Sequence, residues 1–190
     1  MKCIASIRIN PEAAWLNGER LSITVEEGIA PVGKALLVAL YKQHVGDYPK
    51  FHKMDPLARL GFMASELLLQ SLDEDHYVER DDRAIVLVNR SASLAADHKY
   101  EQTIQVGEDY FPSPADFVYT LPNIVTGEIA IRNHYHGETS FMVIEHRDNE
   151  TLSLLIRQAF ADPQTTSVLG GWLECVDEHH FEAELGLYIY

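Results

Sequence analysis

Few residues in this chain could carry chemistry. Its 190 residues include two cysteines and nine histidines. One histidine, His146 in Ile144-Glu-His-Arg, follows an apolar run from Ser140 to Glu145 and precedes a helical pattern that starts at Asn149. An α/β enzyme holds its nucleophile at such a strand end, because the mouth of the next helix favours negative charge. His146 could serve there as a general base. It has no nucleophile of its own to activate, and packing is the simpler role.

Three further groups need weighing. His134-x-His136 with Glu138 sets three potential zinc ligands within five residues. An exposed turn explains the same residues, so no metal site is assigned and His134 and His136 stand only as weak candidates. Cys175, just past Gly170-Gly171, is the alternative thiol nucleophile. Its apolar strand and its neighbours Glu174 and Asp177 should raise its pKa, which predicts a buried structural cysteine. His179-His180 reads as a hairpin turn. Gly170-Gly171 lacks the lysine and spacing of a phosphate loop, so close backbone packing is its expected use. No Gly-x-Ser-x-Gly elbow is present, and no cofactor is expected.

The elements that must position these residues can be read in order. Cys3 to Ile9 alternates as a first strand ended by Asn10-Pro11. Trp15-Leu-Asn-Gly reads as a turn, and Leu21 to Gly28 has no readable pattern. Pro31 is placed as the first residue of a helix carrying Leu36, Leu37, Leu40 and Tyr41, broken by Gly46-Asp-Tyr-Pro49. The best-marked helix has Asp55 as N-cap, Pro56 in the first turn, and a stripe of Leu57, Leu60, Ala64, Leu67 and Leu68. Gly61 on that helix costs about 1 kcal/mol against alanine, which suggests close approach by a neighbour. Asp73 to Asp82 reads as a solvated connector.

Ala84-Ile-Val-Leu-Val88 has the continuous apolar pattern of a strand buried on both faces. A helix from about Ser93 carries Tyr100 and Ile104, and Phe111-Pro-Ser-Pro114 ends any helix. Then come a helix near Leu121 to Tyr135, a buried strand from Ser140, and a helix with Leu152, Leu155, Ile156, Ala159 and Phe160. Asp162-Pro163 stops that helix. Strands Ser167 to Val176 and Phe181 to Tyr190 close the chain. The expected fold is one α/β domain over residues 1–190, a five-stranded, mixed and mostly parallel sheet covered by helices.

Composition limits the partners. The formal charge is −14, with 15 lysines and arginines against 29 acidic residues. Duplex nucleic acid and anionic membrane surfaces both demand the opposite sign. No apolar run approaches the roughly 20 residues of a membrane-spanning helix, and the first residues do not form a signal peptide, which points to a cytoplasmic protein. Two cysteines in apolar segments suit a reducing compartment, and a single disulfide between them has nothing to support it.

Several segments together resemble the N-terminal half of β-ketoacyl-ACP synthases, the condensing enzymes of the thiolase-like fold. His52-Lys-Met-Asp-Pro-Leu-Ala-Arg-Leu-Gly-Phe-Met-Ala-Ser-Glu-Leu-Leu-Leu69 is similar to the family's Arg-Met-Asp segment and first long helix. Ile85-Val-Leu-Val-Asn-Arg-Ser-Ala-Ser93 looks like its second strand and loop. Phe117 to Gly137 is similar to the segment in which a Pro-Asn pair opens a helix that ends before a Gly-Pro turn, here Gly137-Glu138. Leu169-Gly-Gly-Trp-Leu-Glu174 looks like the strand ending in Gly-Gly-x-Glu, and Phe181 to Tyr190 like the strand that closes the first half.

Two departures govern what the resemblance implies. Counting from Gly137 to the family's Thr-Ala-Cys, whose thiolate a helix N-terminus stabilises, lands on His146. The count onward to Glu174 needs no gap. The family's second-half motifs, His-Gly-Thr, Gly-His and a lysine, have no counterpart. The resemblance thus implies a chain-length-factor-like subunit without the catalytic cysteine, in a fatty acid or a polyketide or aryl-polyene type system. As in the family, it would form a homodimer, or a heterodimer with a ketosynthase, through the sheet-edge strand around Phe141, Met142, Val143 and Ile144. Acyl carrier proteins are themselves acidic, so any contact with one would be indirect, through a partner's basic face. Two alternatives remain: an acyl-thioester-processing enzyme using Cys175 or the His134, His136 and His146 group, and a module binding a small apolar acyl group.

Overall fold

The computed structural model describes residues 1–24, 28, 30–105 and 112–190. The first hairpins are local. Strand β1 (Lys2–Asn10) turns through Asn10, whose side chain accepts from the amides of Glu12 and Ala13, into β2 (Ala13–Leu16). Trp15 and Leu16, expected in a turn, belong to β2. The turn is Asn17-Gly18, with φ of 51° and 85°, and it leads to β3 (Glu19–Arg20). Two left-handed residues match the twist of paired strands, which is why Asn-Gly is favoured there. The unpatterned stretch Leu21 to Gly28 includes residues 25–27, which lie outside the described residues.

Helix α1 (Lys34–His44) starts later than Pro31, because Gly33 at its mouth has φ 58° and cannot continue a helix. A five-residue 3₁₀ helix, Pro49–Lys53, precedes α2 (Pro56–Leu69). Asp55 caps α2 as expected, accepting from the amides of Leu57 and Ala58. The helix is more central than a single stripe implies: 13 of its 14 residues are buried. A helix enclosed all round packs neighbours on every side.

Strand β4 (Arg83–Asn89) is buried along its whole length. Helices α3 (Leu94–Ile104), α4 (Pro114–Val118) and α5 (Ile124–Asn133) follow. Pro114 therefore opens a helix, with Ser113 as its N-cap, and Phe111 lies outside the described residues. Helix α5 is shorter than expected because His134 takes a left-handed conformation and ends it. Then come β5 (Thr139–Val143), α6 (Asn149–Ala159), β6 (Ser167–Cys175) and β7 (Phe181–Ile189).

The strands form one mixed sheet in the order β3-β2-β1-β7-β6-β4-β5. It has seven strands, not five. Of its six neighbouring pairs only β4–β5 and β4–β6 are parallel. Short turns, which cannot join parallel neighbours, account for the antiparallel pairs β1–β2, β2–β3 and β6–β7, while β1 and β7 meet across the length of the chain. Both faces are covered. Ile85 and Leu87 of β4 join the larger core with α1, α2 and α5, while Ala84 and Val86 pack with Ile156 and Ala159 of α6.

The connector Asp73 to Asp82, expected to be solvated, is partly structural. Arg83 is 2% exposed, and its guanidinium reaches Glu74 at 2.6 and 3.0 Å, Ser167 Oγ at 3.0 Å and Tyr135 Oη at 2.9 Å. Glu74 also meets Arg80, which pairs with Asp82. A buried guanidinium needs such partners, so the acidic run is held by its cation.

Candidate functional site

Ligands of open α/β sheets sit beyond the carboxyl ends of parallel strands. Here those ends are Asn89, Val143 and Cys175. After β4, Asn89 clasps Ala92 from both sides of its amide, accepting at 3.0 Å and donating at 2.8 Å. Glu174, near the end of β6, accepts from the amide of Arg90 at 2.8 Å and from the hydroxyl of Ser91. The loop after β5 joins them through the Ile144 amide, which donates to the Asn89 carbonyl at 2.9 Å.

His146 lies in this loop, between β5 and α6, with its side chain exposed. Two residues on, Asp148 is the N-cap of α6, accepting from the amide of Thr151 at 2.9 Å and of Glu150 at 3.3 Å. The hydrogen bonds from Thr151 hold the Asp148 carboxyl below the usual range. Two of the amides at the mouth of α6 are therefore already occupied by a carboxylate. Arg147, between them, pairs with Glu182 at 3.2 Å and with Glu184 on β7.

The other histidines do not converge. His134 is the exposed left-handed cap of α5, His136 pairs with Glu79 at 3.2 Å, and Glu138 accepts from Ser140 at 2.8 Å. Among the described residues no group of three or more His, Cys, Asp or Glu side chains is placed to hold a metal ion. His179 and His180 form the β6–β7 turn, where Asp177 accepts from both amides.

Both thiols are free. Cys3 is on β1 and Cys175 on β6, with β7 between those strands. Cys175 is 1% exposed, and burial, with Asp55, Asp177 and Glu174 nearby, pushes its thiol far above the ordinary cysteine value. Gly170 and Gly171 serve close packing: a Cβ would stand 2.8 Å from the Val86 carbonyl at the first. At the second it would collide with the Glu184 carbonyl.

The strand expected at an interface is the last of the sheet. β5 pairs with β4 alone, so its outer edge is unpaired among the described residues. It is not buried as expected: Phe141, Met142 and Ile144 are half-buried and Val143 is 51% exposed. Phe141 and Met142 face opposite cores, which fixes the strand while leaving its edge free.

Sequence reasoning missed two buried charges on α2. Arg59 and Glu66 are 7% and 1% exposed. Glu66 accepts from Tyr77 Oη at 2.9 Å and from Arg132 Nε at 3.2 Å, with Arg132 lying over the rings of Tyr48 and Tyr77. Their signal was present as charged residues inside an otherwise apolar helix. No helix of the described residues is long and apolar enough to cross a membrane.

The mixed seven-stranded sheet, enclosed α2 and the strand–loop–helix at His146 define a thiolase-like fold of the kind built by ketosynthases and chain length factors. Two solved structures carry that statement. The ishigamide ketosynthase/chain length factor superposes with a TM-score of 0.67 at 17% identity, over 97% of this chain. The ketosynthase ApeO in complex with its chain length factor ApeC, from Xenorhabdus doucetiae, gives 0.61 at 15% identity over 98% of this chain. The chain spans 60% of the first matched chain and 78% of the second. Identities this low establish shared fold. No protein-family model and no curated protein matches the sequence.

Proposed function

We propose that this chain is a non-catalytic, chain-length-factor-like subunit that pairs with a ketosynthase in a polyketide or aryl-polyene type system. The observation that carries the reading is the mouth of α6. A condensing enzyme reserves that helix N-terminus for a thiolate. This chain sets an exposed imidazole before it and engages two of its amides with the Asp148 carboxylate. Neither thiol of the sequence is there.

Pairing would use the unpaired edge of β5, with Phe141, Met142, Val143 and Ile144 meeting a partner strand. An exposed edge with apolar side chains invites such addition. The ApeO structure is a ketosynthase bound to its chain length factor, which supports the same kind of assembly here. The subunit would then shape the partner's acyl pocket, while the partner supplies the nucleophile and any basic face for a carrier protein.

Co-expression with a ketosynthase from the same gene neighbourhood tests this directly. The two should co-purify, and Val143→Lys should abolish the complex and change product length while leaving this chain folded. Failure to co-purify, together with unchanged product length, would defeat the proposal.

A further inference from the structure

A cleft of about 580 Å³ lies where three helices begin, beside the β6–β7 turn. Lys34 is the first residue of α1, Asp55 and Pro56 open α2, and Ala95, His98 and Lys99 belong to the first turns of α3. These helices have 11, 14 and 11 residues, long enough for each N-terminus to carry roughly half a positive charge. Asp55 caps α2, but no side chain caps α1 or α3.

The cleft also lacks the negative excess of the rest of the chain. The sequence has 29 acidic residues against 15 lysines and arginines, yet Lys34, Lys53, Arg59 and Lys99 face Asp55, Asp177 and Glu178 here, with His52 and His98 beside them. Lys99 Nζ is already paired with Asp116, so three cations face three carboxylates and the cleft is locally near neutral on an acidic protein.

Arg59 is its built element. The side chain is 7% exposed and fixed by a hydrogen bond from Nη2 to the Met54 carbonyl at 2.9 Å. Its Nε is buried with no hydrogen-bond partner among the described residues. Its Nη1 stands 3.7 Å from Glu178 Oε1, too far for a hydrogen bond. That same oxygen holds Lys34 Nζ at 2.6 Å. One carboxylate oxygen on an exposed turn is thus stretched between two cations. A guanidinium has five donors, and leaving them unused in a buried place is costly.

A phosphate has what Glu178 lacks: several acceptor oxygens, up to two charges, and a tetrahedral shape that spans an arginine, a lysine and helix amides. Met54, Pro56, Ala95 and Val176 add an apolar wall for an attached organic group. We propose that this cleft binds a phosphate monoester of a small organic molecule, with Arg59, Lys34 and Lys53 on the phosphate and Glu178 displaced. The site is separate from the β5 edge and does not depend on the proposed pairing.

The test is isothermal titration calorimetry of the purified chain with inorganic phosphate and with phenyl phosphate, at constant ionic strength. Saturable one-site binding is expected, with phenyl phosphate at least threefold tighter. Glu178→Gln removes the competing carboxylate and should tighten both about tenfold; Lys34→Gln should weaken both about tenfold. Both positions are exposed, so the fold should survive, and circular dichroism checks it. Arg59→Met should abolish binding in a folded protein. Unsaturable heats, or affinities unchanged in Glu178→Gln and Lys34→Gln, overturn the proposal. Equal affinity for the two ligands overturns its organic half.

Discussion

Gly61→Ala sets two effects of known sign against each other. On α2 the substitution should gain about 1 kcal/mol of helix propensity. A Cβ there, however, would stand 2.4 Å from Val125 Cγ2 on α5 and 2.9 Å from Leu173 Cδ2 on β6. Ordinary carbon contacts begin near 3.5 Å, so the Val125 methyl must retreat by about 1 Å. A β-branched side chain on a helix has one comfortable rotamer and cannot swing clear. The strain then falls on the α2–α5 packing, at a cost of about 1–3 kcal/mol beyond the propensity gain. The expected result is a loss of about 1–3 kcal/mol in urea unfolding, or a Tm lower by roughly 2–12 °C for a chain of this size. Gly127→Ala on α5 is the matched control, since nothing lies within 4 Å of its Cβ. It should raise stability by up to about 1 kcal/mol. A Gly61→Ala protein as stable as the wild type, or more so, would refute the packing argument.

Two other outcomes follow from buried groups. Burial pushes the Asp55 carboxyl up to about 6, against the amides of Ala58 and Leu57 and the charges of Arg59 and Lys99. Between the ordinary value of 3.8 and that pKa the native state holds a proton the unfolded chain has lost, so stability falls as pH rises through this window. Asp55→Asn keeps an N-cap and removes the titration, so it should gain about 3 kcal/mol over the wild type at pH 8 and little at pH 4. Parallel stability curves would sink that reasoning. Cys175 should resist alkylation by iodoacetamide at pH 7.5 until the chain unfolds, and acyl thioesters should leave it unlabelled. Rapid modification of Cys175 in the folded protein would instead favour an acyl-transferring enzyme.

What could be read in the sequence was what local pattern decides. Asp55-Pro56 announced α2, the apolar run of β4 announced a doubly buried strand, and the alternation from Phe181 announced β7. What could not be read depended on partners distant in sequence. The apolar residues of β5 suggested a buried strand, but burial is set by strand order, and β5 falls at the edge. Arg83, just past the stretch read as a solvated connector, carried no signal of its own. Only the fold brings Ser167 and Tyr135 to it, 84 and 52 residues away. The candidate site divides in the same way. The position of His146 in a strand–helix loop was visible from spacing, whereas the cleft around Arg59 joins three helices and a hairpin that no spacing connects.

On the proposed reading, the mouth of α6 explains how a scaffold of this kind can stand without a nucleophile. A helix leaves its first amides unpaired, and something must satisfy them. An enzyme can leave them for a substrate-bound anion, at a cost in stability that catalysis justifies. Once the nucleophile is gone, that cost has no return, and a capping carboxylate restores about 1 kcal/mol. Asp148 does so here, two residues past His146, with a second contact from the Thr151 hydroxyl. On the proposed reading, the same loop remains tied to β4 through Ile144 and Asn89 because it still has to hold β5 straight at the sheet edge. Selection on pairing would preserve that backbone hydrogen bond and the β5 side chains while leaving the imidazole of His146 free to change.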